Sequence, residues 1–256
     1  MDSTLLKGLR VLEVVARSDT PRGVSDLARE LELTRSNVHR TLQTLATAGY
    51  VRQDPGGGYE CTLKLFELSS TVMERIDVRH CAAPHARRLC DLTEESIHLA
   101  TLDGSDVVYL DKVESPQPIR AYSSVGGRAP AHCVASGKAL LSRAPREVVE
   151  RLVAAGLERY TELTITEPDA LRTELDDARR SGCAVNRGEW RPTVGGIAAV
   201  VFRSDGEPEA AIGVSGPVER VLEREAALRE AVLDTAGAIS RELGCRTYPA
   251  RAGRGY

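Results

Sequence analysis

The chain has 256 residues, room for one large domain or two modest ones. Its 34 basic and 37 acidic side chains nearly cancel, so no global basic field advertises nucleic acid, and any affinity for a polyanion must be local. No apolar run of about 18 residues is present to span a bilayer and no secretory apolar segment follows Met1, which points to the cytoplasm; the six cysteines, none in a Cys-x-x-Cys pair, then read as small buried hydrophobes.

In chain order, residues 4–16 carry Leu5, Leu9, Leu12 and Val15 at helical spacing, with Asp2 or Ser3 as the candidate cap. A turn-rich loop follows at 19–23. Ser25 is placed to cap a helix through Glu30, and Thr34 to cap a second helix over 35–48, which Gly49 stops. Strands are expected at 50–53 and 59–62, around the glycine-rich tip Asp54-Pro55-Gly56-Gly57-Gly58. Residues 63–78 predict a linker helix. Beyond it the spacing predicts a helix at 79–91, strands at 96–103, 106–113 and 119–125, and helices at 135–142, 146–155 and 168–180. Strands at 183–189, 197–203 and 210–215 and one long helix at 219–243 complete the second region. Separated blocks of strands and helices suggest an antiparallel sheet covered by helices, an α+β domain. The expected division is 1–62, linker 63–78, 79–248, and an unstructured tail at 249–256.

The 24–54 segment carries the sharpest chemistry. On a helix over 35–48, Val38, Leu42 and Leu45 share one face, while Ser36, Arg40, Gln43 and Thr47 lie opposite, with His39 and Thr44 at the flanks. Between Leu33 and Gln53 there are three arginines and no acidic residue. Arginine forks onto guanine or pairs with phosphate, and Asn or Gln reads adenine. Hydroxyls near a helix start, here Ser25, Thr34 and Ser36, suit phosphate oxygens. Arg35, Asn37 and His39 are candidates for base or phosphate, Arg40 for phosphate, and Arg52 for the backbone beside a hairpin wing. The plain alternative is a solvated helix face. Helix, turn, helix and wing in this order favour a winged helix-turn-helix that binds double-stranded DNA.

Other patterns carry less. His132 and Cys133 are adjacent with no evident third orienting residue, which disfavours nucleophilic catalysis. Cys81 and His85 share a helical face near His80 and Cys90, four possible zinc ligands, yet Ala82, Ala83, Ala86 and Leu89 make a packed helix the simpler reading. Ala135-Ser136-Gly137-Lys138 resembles the end of a phosphate loop but lacks its first glycine and its Ser/Thr. A strand-to-helix turn whose backbone N–H groups bind a ligand carboxylate is an open reading there, against simple capping. No catalytic residue, cofactor or metal is expected.

Three stretches of the first region (5–16, 25–54 and 57–69) and three of the second (98–115, 125–141 and 197–217) resemble the isocitrate-lyase-regulator (IclR) family of bacterial transcription regulators, over nearly the whole chain. That resemblance implies a GAF-like effector domain, a small-molecule effector such as an aromatic or short organic acid, and a homodimer or dimer of dimers. It implies operator binding beside a catabolic or stress gene cluster, usually as repressor, alternatively as activator; a metal-responsive regulator is the other alternative. Carried onto this sequence, the ligand pocket would be lined by Gly126, Ala131, His132, Cys133, Ala135 and Ser136, facing Asn186, Glu189, Gly196, Ile197 and Ser215. Some members carry an acid at Asn186, a cysteine at Gly196 and a serine at Gly213. Their absence removes polar anchors, so a small oxo-acid specificity does not carry over, and glycines at 195, 196 and 213 are expected to leave room for a larger or flatter ligand.

Overall fold

The computed structural model describes residues 3–73, 77–120 and 123–248. The chain forms two compact units, Met1–Ile76 and Asp77–Tyr256. The expected tail at 249–256 and the middle of the expected linker helix, 74–76, lie outside the described residues.

The first unit begins with α1 (Ser3–Ala16), α2 (Val24–Glu30) and α3 (Arg35–Thr47). The hairpin β1 (Val51–Gln53) and β2 (Tyr59–Cys61) and then α4 (Lys64–Met73) follow. Val11, Val15, Leu27, Ala28, Val38, Leu42, Val51 and Tyr59 form its core. The apolar stripe of α1 is split: Val11 and Val15 are buried, whereas Leu5, Leu6 and Leu9 are exposed. Thr34 caps α3, its Oγ1 accepting from Asn37 N at 3.3 Å. The helix ends in a Schellman motif, with Tyr50 N–H donating to Leu45 O and Gly49 N–H to Ala46 O, and Gly49 at φ +80°. Lys64 reinforces this end by donating from Nζ to Ala48 O at 2.6 Å.

Ser25 does not cap α2. The cap is Gly23, whose carbonyl receives Asp26 and Leu27 N–H, and Ser25 stands exposed within the first turn. Asp26 supplies the negative charge that favours a helix start there.

The second unit is a six-stranded, wholly antiparallel sheet in the order β5-β4-β3-β8-β7-β6. The strands are β3 (Ser96–Asp103), β4 (Asp106–Val113), β5 (Arg128–Pro130), β6 (Cys183–Arg187), β7 (Val194–Phe202) and β8 (Pro208–Pro217). Helices α5 (Asp77–Thr93), α9 (Val218–Glu223) and α10 (Glu225–Glu242) pack on the sheet, as do α6 (Ala135–Leu141) and, beside them, α7 (Arg146–Ala155) and α8 (Pro168–Ser181). Alternation along β7 separates two cores: Ala198, Val200 and Phe202 join α6, α7 and α8, while the buried Ile197, Ala199 and Val201 point to the opposite face.

Two expectations differ. The strand expected at 119–125 is not one at the described positions; β4 pairs instead with the three-residue edge strand β5, entered through Gly126 at φ +77°. Pro130 is tolerated there because an edge strand needs only one hydrogen-bonding side. The single helix expected at 219–243 is two, broken at Arg224, whose guanidinium donates to Thr93 O at 2.8 Å. Of residues 63–78, Lys64–Met73 form α4 and Asp77 opens α5.

Candidate functional site

Helix α3 presents most of the expected DNA-reading set. Thr34, Arg35, Ser36, Asn37, His39, Arg40, Gln43 and Thr44 are all exposed, opposite the fully buried Val38 and Leu42. Some of these groups are already held. Thr34 and Ser36 hydroxyls are 3.2 Å apart, and Thr44 Oγ1 donates to Arg40 O. Arg40 makes one contact, from its guanidinium to Asn37 Oδ1 at 3.4 Å. Among the described residues neither Arg35 nor Arg40 has an acidic partner, so the charge of α3 faces solvent uncancelled. Arg52, on the wing, is paired with Glu60 at 2.7 Å and brings less net charge. Ser25 is exposed on α2.

The second unit holds a narrow cleft open to solvent. Its floor is the small-residue face of the sheet, Gly196 and Ala198 of β7 beside Gly213 and Ser215 of β8. The first turn of α6 lies over it with Ala135 and Ser136, and Asn186, Trp190, Arg191 and Val194 close another side. His98, Tyr109 and Ser123 complete the lining. Tyr109 reaches this face through a β-bulge: Leu99 opposes Asp111, but Ala100 opposes Tyr109, so Leu110 is the extra residue. Without that bulge, Tyr109 would sit on the opposite face.

The polar groups of the cleft are mostly neutral donors. Burial pushes the Tyr109 phenol up to about 12, against the pull of the nearby Arg191 charge, so it stays protonated. Burial, helped by the Lys112 charge, lowers His98 to about 4, so its imidazole is neutral near pH 7. Asn186 Oδ1 is occupied by Gly188 N and Glu189 N, which leaves its NH2 as the available end. Arg191 lies over the Trp190 ring, 4.5 Å from its centroid, and has no ion-pair partner among the described residues.

Of the eleven ligand-pocket residues expected from the sequence, the cleft brings together Ala135, Ser136, Asn186, Gly196 and Ser215. The other six do not line it. Gly126 makes the turn into β5, its N–H donating to Tyr109 O. Ala131 is fully buried against Gly137, where an added Cβ would overlap its backbone. His132 Nε2 lies 3.0 Å from Glu158 O, while its Nδ1 is buried with no hydrogen-bond partner among the described residues. Cys133 is fully buried, and burial, with the Glu189 charge, pushes its thiol up to about 12, far from a reactive thiolate. Ile197 follows Gly196 on a strand and so points to the opposite face. Glu189 turns away to Lys138.

Lys138 explains the phosphate-loop-like sequence. Its ammonium is fully buried between Glu189 at 2.7 Å and Glu174 at 2.8 Å, a structural ion cluster outside the cleft lining. The glycines are structural too. A Cβ at Gly213 would lie 2.4 Å from Ile197 O, at Gly196 2.9 Å from Val214 O, and at Gly195 2.9 Å from Val218 Cα. They permit close backbone approach, and Gly196 and Gly213 also keep the cleft floor free of side chains. Of the other four candidate ligands for zinc, His85 pairs with Glu242 at 2.9 Å and Cys90 donates to Glu114 O. Among the described residues no group of three His, Cys, Asp or Glu is arranged to hold a metal.

Residues 4–55 match the family model described as the IclR helix-turn-helix domain, and residues 70–241 the one described as bacterial transcriptional regulator IclR C-terminal. With the exposed basic helix and its wing, this defines a DNA-binding transcriptional regulator. The chain belongs to the IclR family. It is 35% identical to the HTH-type transcriptional regulator KdgR of Escherichia coli K12 over 96% of this chain and 95% of that protein. It is 32% identical to the HTH-type transcriptional repressor AllR of the same strain, over 96% and 92%. Among solved structures, an IclR homolog complexed with 4-hydroxybenzoate from Microbacterium hydrocarbonoxydans superposes with a TM-score of 0.82 at 29% identity, covering 94% of this chain and 99% of that one.

Residues His98, Tyr109, Ser123, Trp190 and Arg191 enter the cleft without any sequence motif that marks them. Strand parity was the one usable signal, since His98 and the expected Ser215 share a sheet face with Gly196.

Proposed function

We propose that this chain is a ligand-responsive repressor of a nearby catabolic operon, working in the bacterial cytoplasm. It binds a near-palindromic operator as a homodimer or a dimer of dimers and is released or rearranged by a small organic acid. The observation that carries the effector class is Arg191: a guanidinium without an acidic partner among the described residues, beside a cleft of neutral donors. Tyr109, Ser136 and Asn186 supply further donors and no carboxylate among the described residues lines the cleft, so a carboxylate is favoured over a cation. The ring faces of Trp190 and Tyr109 and the apolar Val134, Val194 and Val214 suit a planar body.

A thermal-shift screen of organic acids finds the effector, because a ligand that binds only the folded state raises its stability. Arg191→Ala is expected to weaken a bound carboxylate by about tenfold or more, the worth of a charge-assisted hydrogen bond. Unchanged affinity would remove Arg191 from the site.

On DNA, Arg40→Ala is expected to weaken operator and random duplex alike and to flatten the salt dependence by about 0.9 log unit per log unit of salt, the signature of one lost phosphate contact. A loss confined to one operator base would make Arg40 a base reader.

Effector binding shifts operator affinity only if the effector prefers one arrangement of the DNA-binding pairs over another. The covalent route between the units runs through α4 and α5. The proposal fails if a tightly bound acid leaves operator binding and oligomeric state unchanged.

A further inference from the structure

The wing carries charge of the wrong sign for gripping phosphate. Between Val51 and Cys61 there is one basic side chain, Arg52, against two acidic ones, Asp54 and Glu60. Asp54 is accounted for by the turn: its Oδ1 accepts from Gly58 N at 2.6 Å and its backbone O from Gly57 N. Glu60 has no such task. Among the described residues its carboxylate meets only Arg52, Nε to Oε1 at 2.7 Å. The two face each other across the hairpin, on the side opposite the buried Val51 and Tyr59. Both reach solvent, Arg52 at 71% and Glu60 at 36% exposure, and so exposed a pair adds little to folding.

The wing also lies where a duplex would meet it. An α-helix with its side chains is about 10–12 Å across, and the major groove is about 12 Å wide. A helix seated there fills the groove, so a structure held beside it meets the phosphate walls rather than base edges. The wing is held beside α3: Thr62 donates from Oγ1 to Gly49 O and from its N–H to Tyr50 O, just past the helix end. On α3, Arg35 and Arg40 bring their charge uncancelled, whereas Arg52 arrives already neutralised.

We infer that Glu60 is an electrostatic brake on DNA binding: its carboxylate holds Arg52 back from the phosphate backbone and keeps the wing from adding to affinity. This departs from the expectation that Arg52 grips the backbone. To reach a phosphate, Arg52 must give up Glu60 and leave that carboxylate within a Debye length, about 8 Å, of the duplex. Phosphate contacts are the same on every sequence, so a cancelled wing leaves the base-reading contacts of α3 a larger share of the binding.

The test is binding of the full chain to random-sequence duplex DNA across a salt series, read by fluorescence anisotropy. Glu60→Gln keeps the shape and an acceptor for Arg52 but removes the charge. It is expected to steepen the salt dependence by about 0.9 log unit per log unit of salt and to tighten binding about eightfold at about 0.1 M salt, the worth of one gained phosphate contact. Arg52→Ala with Glu60→Gln is expected to restore the wild-type slope and an affinity within about twofold. Arg52→Glu with Glu60→Arg rebuilds the pair in reverse and is expected to match wild type as well. The inference is overturned if Glu60→Gln leaves slope and affinity unchanged, which places the wing away from the duplex, or weakens binding, which makes Glu60 a contact in its own right. A lowered Tm with an unmoved slope assigns the pair to the hairpin alone and overturns it too. So does a double variant whose slope is flatter by about 0.9, because Arg52 then already touches phosphate beside Glu60.

Discussion

Lys138→Ala is expected to destabilise the effector unit by about 3–5 kcal/mol, the cost of breaking a buried ion pair by removing one partner. The ammonium is wholly buried, and Glu189, its nearer partner, keeps only 5% of its side chain exposed. Without Lys138 that carboxylate is left in a low-dielectric site, whereas Glu174, 25% exposed, retains some water. The change also loosens one wall of the cleft. Glu189 Oε2 accepts from Arg187 N, and Glu189 N donates to Asn186 Oδ1, so the cluster anchors the turn that leads to Trp190 and Arg191. Trp190 is the only tryptophan in the chain, so urea unfolding followed by its fluorescence reports this unit. Lys138→Met with Glu189→Leu is expected to recover part of the loss, since the buried Glu189 charge is gone and Glu174, 25% exposed, keeps some water. A single-variant loss below about 1 kcal/mol, the range of an exposed pair, would show that the cluster does not hold the fold.

The second large effect concerns assembly. Leu9→Glu combined with Phe66→Glu is expected to yield a folded monomer whose operator affinity falls by about 10²–10⁴, the avidity lost when two reading heads are no longer joined. Leu9 is 48% and Phe66 68% exposed, and neither belongs to the core of the first unit, so folding should survive. Leu5 and Leu6 on α1 and Leu63 and Leu68 around α4 extend the same exposed apolar character. We propose that α1 and α4 join two copies of the chain, which accounts for this exposure. Light scattering gives the mass, and binding to full and half operators separates avidity from recognition. A variant that stays dimeric at full operator affinity places the interface elsewhere.

Much of the fold was legible because local signals agreed with tertiary structure. Thr34 before Arg35 and Gly49 after Ala48 bound α3 by cap chemistry alone, and the 3.6-residue period separated Val38 and Leu42 from Arg40 and Gln43. Signals that depend on partners failed. Leu5 and Leu9 continue the periodic stripe of α1, and periodicity cannot say whether the covering surface belongs to the same chain. At the Arg224 break the guanidinium donates to Thr93 O, far away in sequence. In the effector unit, Ala135, Ser136, Asn186, Gly196 and Ser215 were named in advance. His98, Tyr109, Ser123 and Arg191 were not, because the register, the bulge at Leu110 and the loop that brings Ser123 over β3 are long-range facts. Ile197 was avoidable: the side-chain period of two forbids it from sharing a face with Gly196.

The glycines of β7 and β8 bear on how such a sensor can be retuned. At positions 196 and 213 even one added carbon would press on neighbouring backbone, closer than carbon and oxygen tolerate. Inherited or engineered changes of taste are thus steered away from the floor and toward the rim, where Ser123, Trp190 and Arg191 sit on connecting segments that can change without disturbing strand pairing. The scaffold resembles a fixed tray with exchangeable walls, and a biosensor for a new ligand would be sought by varying those walls first.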